Sequence, residues 1–127
     1  MRRFACLLVL ALAACTVPAT APPHKVVVFF QEWSAAIDKP AAGAITEAAQ
    51  WAKEHPADAI KVAGYADPTG SALANDYMSR TRAQVVADQL VADGVDRSRI
   101  IIAAHGSVDF TLTSQESRRV EIAVGGS

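Results

Sequence analysis

The feature that most constrains the fold of this chain is an alternation of strand-like and helix-like segments. Residues 25–30 and 59–66 are rich in β-branched and apolar side chains, which is typical of strands. Between them, residues 38–56 place small apolar side chains at helical spacing, with Asp38 as a capping residue at the start. A strand, a helix and a second strand in this order indicate a parallel, right-handed crossover.

The second half of the chain continues the alternation. A long helix is predicted from a residue within 71–75 to about Asp93, where Gly94 is suited to a left-handed C-terminal cap. Residues 99–106 and 118–124 then read as two further strands. The order β-α-β-α-β-β predicts an α+β sandwich, in which two main helices cover one face of a mixed four-stranded sheet.

The beginning of the chain is predicted to be a targeting segment and not part of the fold. Arg2 and Arg3 precede a short apolar run, which is the pattern of a secretory signal. The run is about half of the roughly 20 residues that a membrane-spanning helix needs. It ends in LAAC, residues 12–15, which resembles the processing box of bacterial lipoproteins. The resemblance implies cleavage after residues 1–14 and acyl chains attached to Cys15.

The remaining chain is expected to be a lipid-anchored domain on a short tether. The lipidated Cys15 and the Pro- and Ala-rich segment after it, residues 15–24, are predicted to form that tether. Thr16 stands where an Asp would resemble an inner-membrane retention signal, which favours the outer membrane with the domain in the periplasm. The folded domain is expected over residues 25–124 and a frayed tail over 125–127.

Charge and cysteine content narrow the function further. The whole chain has 12 Lys and Arg against 13 Asp and Glu, and removal of Arg2 and Arg3 with the signal makes the balance more acidic. No basic stripe is present, so no nucleic-acid partner is expected. Of the two cysteines, Cys6 leaves with the signal, so Cys15 has no partner for an intramolecular disulfide.

The long helix turns polar side chains toward its apolar side. At about 100° per residue, Asn75, Ser79 and Arg82 share the side of Val86 and Leu90. A buried polar or charged group costs free energy unless it has a partner. Two explanations stay open at this point: Arg82 pairs with an acid inside the protein, or this side of the helix lines a cleft where an external molecule is the partner.

Asp67 is the obvious acid under either explanation. It follows a strand and precedes the long helix, at the carboxyl edge of the parallel unit, where crevices form in such sheets. A carboxylate and the guanidinium of Arg82 together fit an amino-acid headgroup, because one binds an ammonium and the other binds a carboxylate through two parallel hydrogen bonds. The alternative is that Asp67 only closes its own turn by accepting a nearby N–H.

Residues 64–86 resemble the peptidoglycan-binding domain at the C-terminus of outer membrane protein A and in peptidoglycan-associated lipoprotein. That family carries a pattern close to G-H-T-D-x-x-G-x-x-x-x-N-x-x-L-S-x-x-R-A-x-x-V. The matching positions in this chain are Gly64, Asp67, Gly70, Asn75, Ser79, Arg82, Ala83 and Val86. The resemblance extends over about residues 25 to 124 and implies the fold of that domain.

The resemblance also implies a ligand and the residues that bind it. Asp67 would hold the free ammonium of meso-diaminopimelate in the peptidoglycan stem, and Arg82 would hold the carboxylate on the same end. Asn75 would support the site, Arg118 would be an additional contact, and the loop near Gln31 would add backbone contacts. The implied protein is a non-catalytic lipoprotein that tethers the outer membrane to the cell wall, with other envelope proteins as candidate partners.

Some positions depart from the family pattern. Tyr65 and Ala66 replace His and Thr, Met78 replaces Leu, Ser117 replaces Asn, and the segment 105–117 is shorter. These departures bear on affinity and specificity more than on fold. They keep open an alternative function, an assembly or protein-interaction lipoprotein with weakened wall binding.

Catalysis is a third hypothesis, which the sequence does not favour. His24, His55 and His105 lie far apart without metal-ligand spacing, and no nucleophile is paired with a base. No metal, cofactor or catalytic residue is therefore expected. Trp33 and Trp51 are predicted to pack against the protein instead of binding a ligand.

Overall fold

The computed structural model describes residues 21–107 and 113–126. The predicted signal segment, Cys15 and Thr16 therefore lie outside the described residues. The elements are β1 (His24–Phe29), α1 (Lys39–Glu54), β2 (Ile60–Ala66), α2 (Ala72–Ala92), a 3₁₀ helix (Arg97–Arg99), β3 (Ile100–Ser107), α3 (Ser114–Ser117) and β4 (Arg119–Val124). The main elements follow the predicted order, which confirms the α+β class.

The four strands form one mixed sheet in the order β1-β4-β2-β3. Strands β2 and β3 are parallel, as the crossover through α2 requires, and β4 is antiparallel to both β1 and β2. The last strand therefore enters the middle of the sheet. This placement brings the start of β4 next to the end of β2, where Asp67 follows.

The helices begin and end at the residues that the sequence indicates. The carboxylate of Asp38 accepts the N–H of Ala41 at 2.9 Å, and the hydroxyl of Ser71 accepts the N–H of Ala74 at 3.1 Å. At the other end of α2, Gly94 has a φ of +102°, as expected for the left-handed residue that stops a helix. The N-cap residue of α2, Ser71, is thus fixed four residues after Asp67.

The core lies between one face of the sheet and the two main helices. Its members are mostly β-branched residues of the strands and small residues of the helices, so the helices approach the sheet closely. The buried residues of the cluster are Val26, Val28, Phe30, Ala41, Ile45, Ala48, Ala49, Ala52, Ile60, Val62, Ala83, Val86, Leu90, Val95, Val120, Ile122 and Val124. On the opposite face, Val27 and Phe29 are exposed and the guanidinium of Arg119 lies 4.0 Å from the ring centroid of Tyr65. Helices therefore cover one face, as predicted.

Helix α2 approaches the sheet closely at Gly64 in β2. A Cβ at this position would lie 2.0 Å from the carbonyl oxygen of Ser79 and 3.2 Å from the Cβ of Ala83. The hydroxyl of Ser79 also accepts the backbone N–H of Gly106 in β3 at 2.9 Å. Glycine and small side chains at this crossing therefore fix the first half of α2 against the ends of β2 and β3.

The first strand differs slightly from the prediction. It begins at His24, which the sequence analysis assigned to the tether, and His24 pairs with Val124 in the ladder. The imidazole of His24 also stacks on the indole of Trp51, which stacks in turn on the imidazole of His55, at centroid distances of 4.2 and 4.3 Å. The chain thus enters the sheet at the end of the β1–β4 ladder that is far from Arg118.

Candidate functional site

The four residues predicted to bind a ligand line one cavity at the carboxyl end of β2. Asp67, Asn75, Arg82 and Arg118 come from the β2–α2 connection, from α2 and from the residue before β4. The remaining lining residues are Glu32, Trp33, Ala66, Thr69 and Met78. The cavity volume is about 10 Å³, which is room for about one water molecule. The structure therefore brings the predicted residues together and leaves little space between them.

Arg82 is the most deeply buried charge of the site, with 1% of its surface exposed. Its Nε donates to the carbonyl oxygen of Ser34 at 2.8 Å, and its Nη2 donates to that of Gln31 at 3.0 Å. The guanidinium also lies 5.4 Å from the ring centroid of Phe30. Within residues 21–107 and 113–126, Nη1 donates to no acceptor. The backbone therefore fixes the guanidinium plane and leaves donors for another molecule.

Burial and the nearby positive charge of Arg118 lower the pKa of Arg82 to about 10, and the negative charge of Asp67 opposes this shift. The guanidinium consequently stays protonated at neutral pH. A cation held in a site with little water interacts more strongly with an incoming carboxylate than an exposed arginine does.

Asp67 forms its ion pair with Arg118. The Oδ2 of Asp67 lies 3.2 Å from the Nη1 of Arg118, while Oδ1 accepts the backbone N–H of Thr69 at 3.0 Å. Among residues 21–107 and 113–126, Arg82 forms no ion pair with an acid, since Arg118 occupies the position beside Asp67. The turn-closing role of Asp67 is present together with its place in the cavity.

The hydrogen bond from the backbone of Thr69 is the main reason that the pKa of Asp67 lies below its ordinary value of 3.8. The hydroxyls of Thr69 and Ser114 and the charge of Arg118 act in the same direction, and burial opposes them. Asp67 is thus ionised at any pH near neutrality, and it lines the cavity together with the side chain of Glu32 and two guanidinium groups.

Asn75 and Ser79 support the site by connecting elements. The amide of Asn75 donates to the carbonyl oxygen of Thr69 at 2.9 Å and to the hydroxyl of Ser107 at 2.8 Å. The hydroxyl of Ser79 donates to the carbonyl oxygen of Asp76. Both side chains form hydrogen bonds with backbone groups next to the cavity, which explains why α2 carries them on its inner side.

Lowering the pH should reduce the stability of the fold, because Asp67 becomes protonated. Because the folded-state pKa is lowered, its stabilising contribution is present above about pH 4 and is lost as pH falls through the folded-state value. We expect the stability difference between the wild type and Asp67→Asn to be constant from neutral pH down to about pH 5, and to shrink in more acidic buffer. Urea unfolding of both proteins across this range measures it. A difference that stays the same in strong acid would contradict the assignment.

Two features of the site were not found from the sequence. One is the Asp67–Arg118 pair, which depends on β4 lying beside β2 and would have followed from the strand order. The other is the turn at residues 31–34, whose contact near Gln31 was expected to be with a ligand and is made with Arg82. The positive φ of Trp33 in this turn has no sequence signal, since glycine or asparagine normally marks such a position.

Neither a metal centre nor a membrane span is found within the described part of the chain. Among residues 21–107 and 113–126, no group of three or more His, Cys, Asp or Glu side chains is arranged to hold a metal ion. In the same part, no helix combines the length and hydrophobicity needed to cross a bilayer.

Comparison with known proteins gives a consistent family match. The profile of the OmpA family matches residues 29–122, which is most of the described chain. The probable lipoprotein YiaD of Escherichia coli is 35% identical over 103 residues, which cover 76% of this chain and 47% of YiaD. The peptidoglycan-binding protein ArfA of Mycobacterium tuberculosis is 39% identical over 71 residues, which cover 51% of this chain and 22% of ArfA.

The fold is also found in solved structures. The peptidoglycan-associated lipoprotein from Burkholderia pseudomallei superposes with a TM-score of 0.72 at 22% identity, over 78% of this chain and 89% of that one. This likeness concerns the fold alone. The chain spans about half the length of YiaD and about a fifth of ArfA, so the similarity concerns only part of those proteins.

Proposed function

The chain belongs to the OmpA family, and from this premise we propose that it is a non-catalytic peptidoglycan-binding lipoprotein of the cell envelope. Its domain holds the diaminopimelate end of the stem peptide. Acyl chains on Cys15 anchor it to the periplasmic side of the outer membrane, so that the protein tethers this membrane to the wall. One observation carries the proposal: Asp67 and Arg82, whose charges match an amino-acid headgroup, line the same cavity.

The chemistry of the ligand fits the charges of the site. The free end of meso-diaminopimelate carries an ammonium and a carboxylate on one carbon. The ammonium would share Asp67 with Arg118, and the carboxylate would accept hydrogen bonds from Nη1 of Arg82. Arg82 would therefore select the ligand carboxylate, and Asp67 the ligand ammonium.

The relatives support the same assignment. ArfA is named a peptidoglycan-binding protein, YiaD a probable lipoprotein, and the Burkholderia structure is a peptidoglycan-associated lipoprotein. The cleavage site at Cys15 rests on the sequence pattern of residues 12–15. Binding by charge pairing requires no covalent step, and the ligand is released unchanged.

Purified protein should sediment with isolated cell-wall sacculi that contain meso-diaminopimelate. The soluble stem tetrapeptide L-Ala–D-Glu–meso-diaminopimelate–D-Ala should compete, whereas the same peptide with L-Lys as its third residue should compete about 100-fold more weakly. The two peptides differ by the one carboxylate that Arg82 is proposed to bind. Sacculus co-sedimentation with increasing peptide measures both values.

Equal competition by the two peptides would contradict the assigned role of Arg82. A protein that fails to sediment with sacculi would contradict wall binding altogether. That second result would favour the assembly or protein-interaction alternative.

A further inference from the structure

The turn at residues 31–34 places a tryptophan in an unfavourable backbone conformation. The N–H of Ser34 donates to the carbonyl oxygen of Gln31 at 3.2 Å, which closes the turn. Trp33 has a φ of +51°, a left-handed value that strains any residue with a Cβ and is normally taken by glycine. A strained position of this kind persists only where surrounding contacts hold it.

The contacts that hold this turn come from the buried arginine of the site. Arg82 donates to the carbonyl oxygens of both Gln31 and Ser34, the two residues that close the turn. Each of these bonds is charge-assisted and lies in a region of little solvent, so each is stronger than a neutral surface bond. The conformation of the turn thus depends on the same side chain that is proposed to bind the ligand carboxylate.

The indole of Trp33 lines the cavity and contacts the loop that carries Asp67. A Cβ at Gly70 would lie only 2.8 Å from Cη2 of the indole. The indole therefore lies on Gly70, in the loop that carries Asp67, while 53% of its surface is exposed to solvent. An ammonium and a carboxylate on one carbon occupy several times the volume of a water molecule, so the cavity of about 10 Å³ does not admit them.

We propose that the turn at residues 31–34 is a lid on this binding site, with Trp33 as its plug and Arg82 as its latch. The inference rests on the proposed function and adds how the ligand gains access. A ligand carboxylate that binds Nη1 of Arg82 also takes Nη2 from the carbonyl oxygen of Gln31 to form two parallel hydrogen bonds, which releases the turn and displaces the indole from Gly70. Opening is thereby coupled to the carboxylate, so a ligand that offers only an ammonium to Asp67 leaves the lid latched.

One test needs no ligand. In a Trp51→Phe background, Trp33 is the sole tryptophan, so its emission reports the lid. Replacing Arg82 by Lys keeps the positive charge but removes the paired donors that hold the turn. We expect the emission of Trp33 to shift to longer wavelength and its quenching by acrylamide to rise. Unchanged quenching in a variant that keeps the wild-type circular dichroism would overturn the latch.

A second test uses the diaminopimelate tetrapeptide and a variant with an unstrained turn. Glycine accepts a positive φ, so Trp33→Gly should keep the turn and the fold while removing the plug. If the open state is a minority of molecules in the wild type, affinity is reduced by that fraction. Trp33→Gly is therefore expected to bind the tetrapeptide about tenfold more tightly by calorimetry.

The outcomes separate the lid from the proposed function. Equal or weaker binding by Trp33→Gly, with the wild type binding normally, would overturn the lid and leave wall binding intact. Absence of tetrapeptide binding by the wild type and by Trp33→Gly would contradict the proposed function. In that case the acrylamide experiment with Arg82→Lys still decides whether the latch exists.

Discussion

Asp67→Asn and Arg82→Lys should each lower affinity for sacculi and for the diaminopimelate tetrapeptide by about 100-fold or more. Removing one member of a buried, hydrogen-bonded charge pair costs about 2–5 kcal/mol of binding free energy, and each 1.4 kcal/mol is about tenfold. Asparagine keeps the shape of Asp67 but cannot attract an ammonium. Lysine keeps the charge of Arg82 but cannot present paired donors to a carboxylate.

Matched controls are available on the exposed side of the same helix. Asp88 pairs with Arg97 at 2.8 Å, and Arg80 pairs with Asp76 at 3.3 Å, both in contact with solvent. Asp88→Asn and Arg80→Lys make the same chemical changes away from the cavity. They should leave binding unchanged and keep stability close to that of the wild type. Calorimetry of all four variants, with thermal unfolding as a check of the fold, would refute the site if controls and site variants lost affinity alike.

Gly64→Ala should destabilise the domain by about 3 kcal/mol or more, the upper end of the range for overpacked cores. The added methyl group would lie 2.0 Å from the backbone oxygen of Ser79. A backbone oxygen within α2 cannot rotate away as a side chain could, so the whole helix must move outward. Because that part of α2 carries Asn75 and Arg82, the variant should lose wall binding as well.

Gly43 provides the control for this substitution. It lies in α1, and a Cβ there would have no atom within 4 Å. Gly43→Ala should therefore stabilise the protein by roughly 0.5–1 kcal/mol through helix propensity. Urea unfolding of both variants measures the contrast. Similar stability of Gly64→Ala and the wild type would show that α2 does not approach β2 as closely as the structure describes.

Much of the fold was predictable because the helix caps and the spacing of apolar residues in the sequence agree with which residues are buried. The caps at Asp38 and Gly94 predicted where α1 begins and where α2 ends, and the structure confirms both. The inward turn of Asn75 and Arg82 followed from helical spacing alone, and both are buried. A periodic pattern is informative where each residue's environment is set by its own helix or strand.

The parts that the sequence did not predict depend on how distant segments meet. The partner of Asp67 is Arg118, 51 residues later, because β4 enters the sheet beside β2. The partners of Arg82 are backbone carbonyls of the turn at residues 31–34, which any residue type could supply. Spacing within one helix carries no information about either contact. Nor does composition predict that a tryptophan occupies a left-handed position.

The antiparallel ladder between β1 and β4 has a mechanical consequence. Six residue pairs, from His24 with Val124 to Phe29 with Arg119, connect the entry of the chain to the edge that carries the site. Under the proposed function, the membrane pulls at His24 and the wall pulls at the opposite edge, so tension runs along the strands. The ladder bonds are perpendicular to that direction and are loaded in shear, all at the same time. Rupture would then require the concerted sliding of β1 past β4, so the domain should unfold at higher force when pulled in this direction than when the same ladder is peeled open from one end.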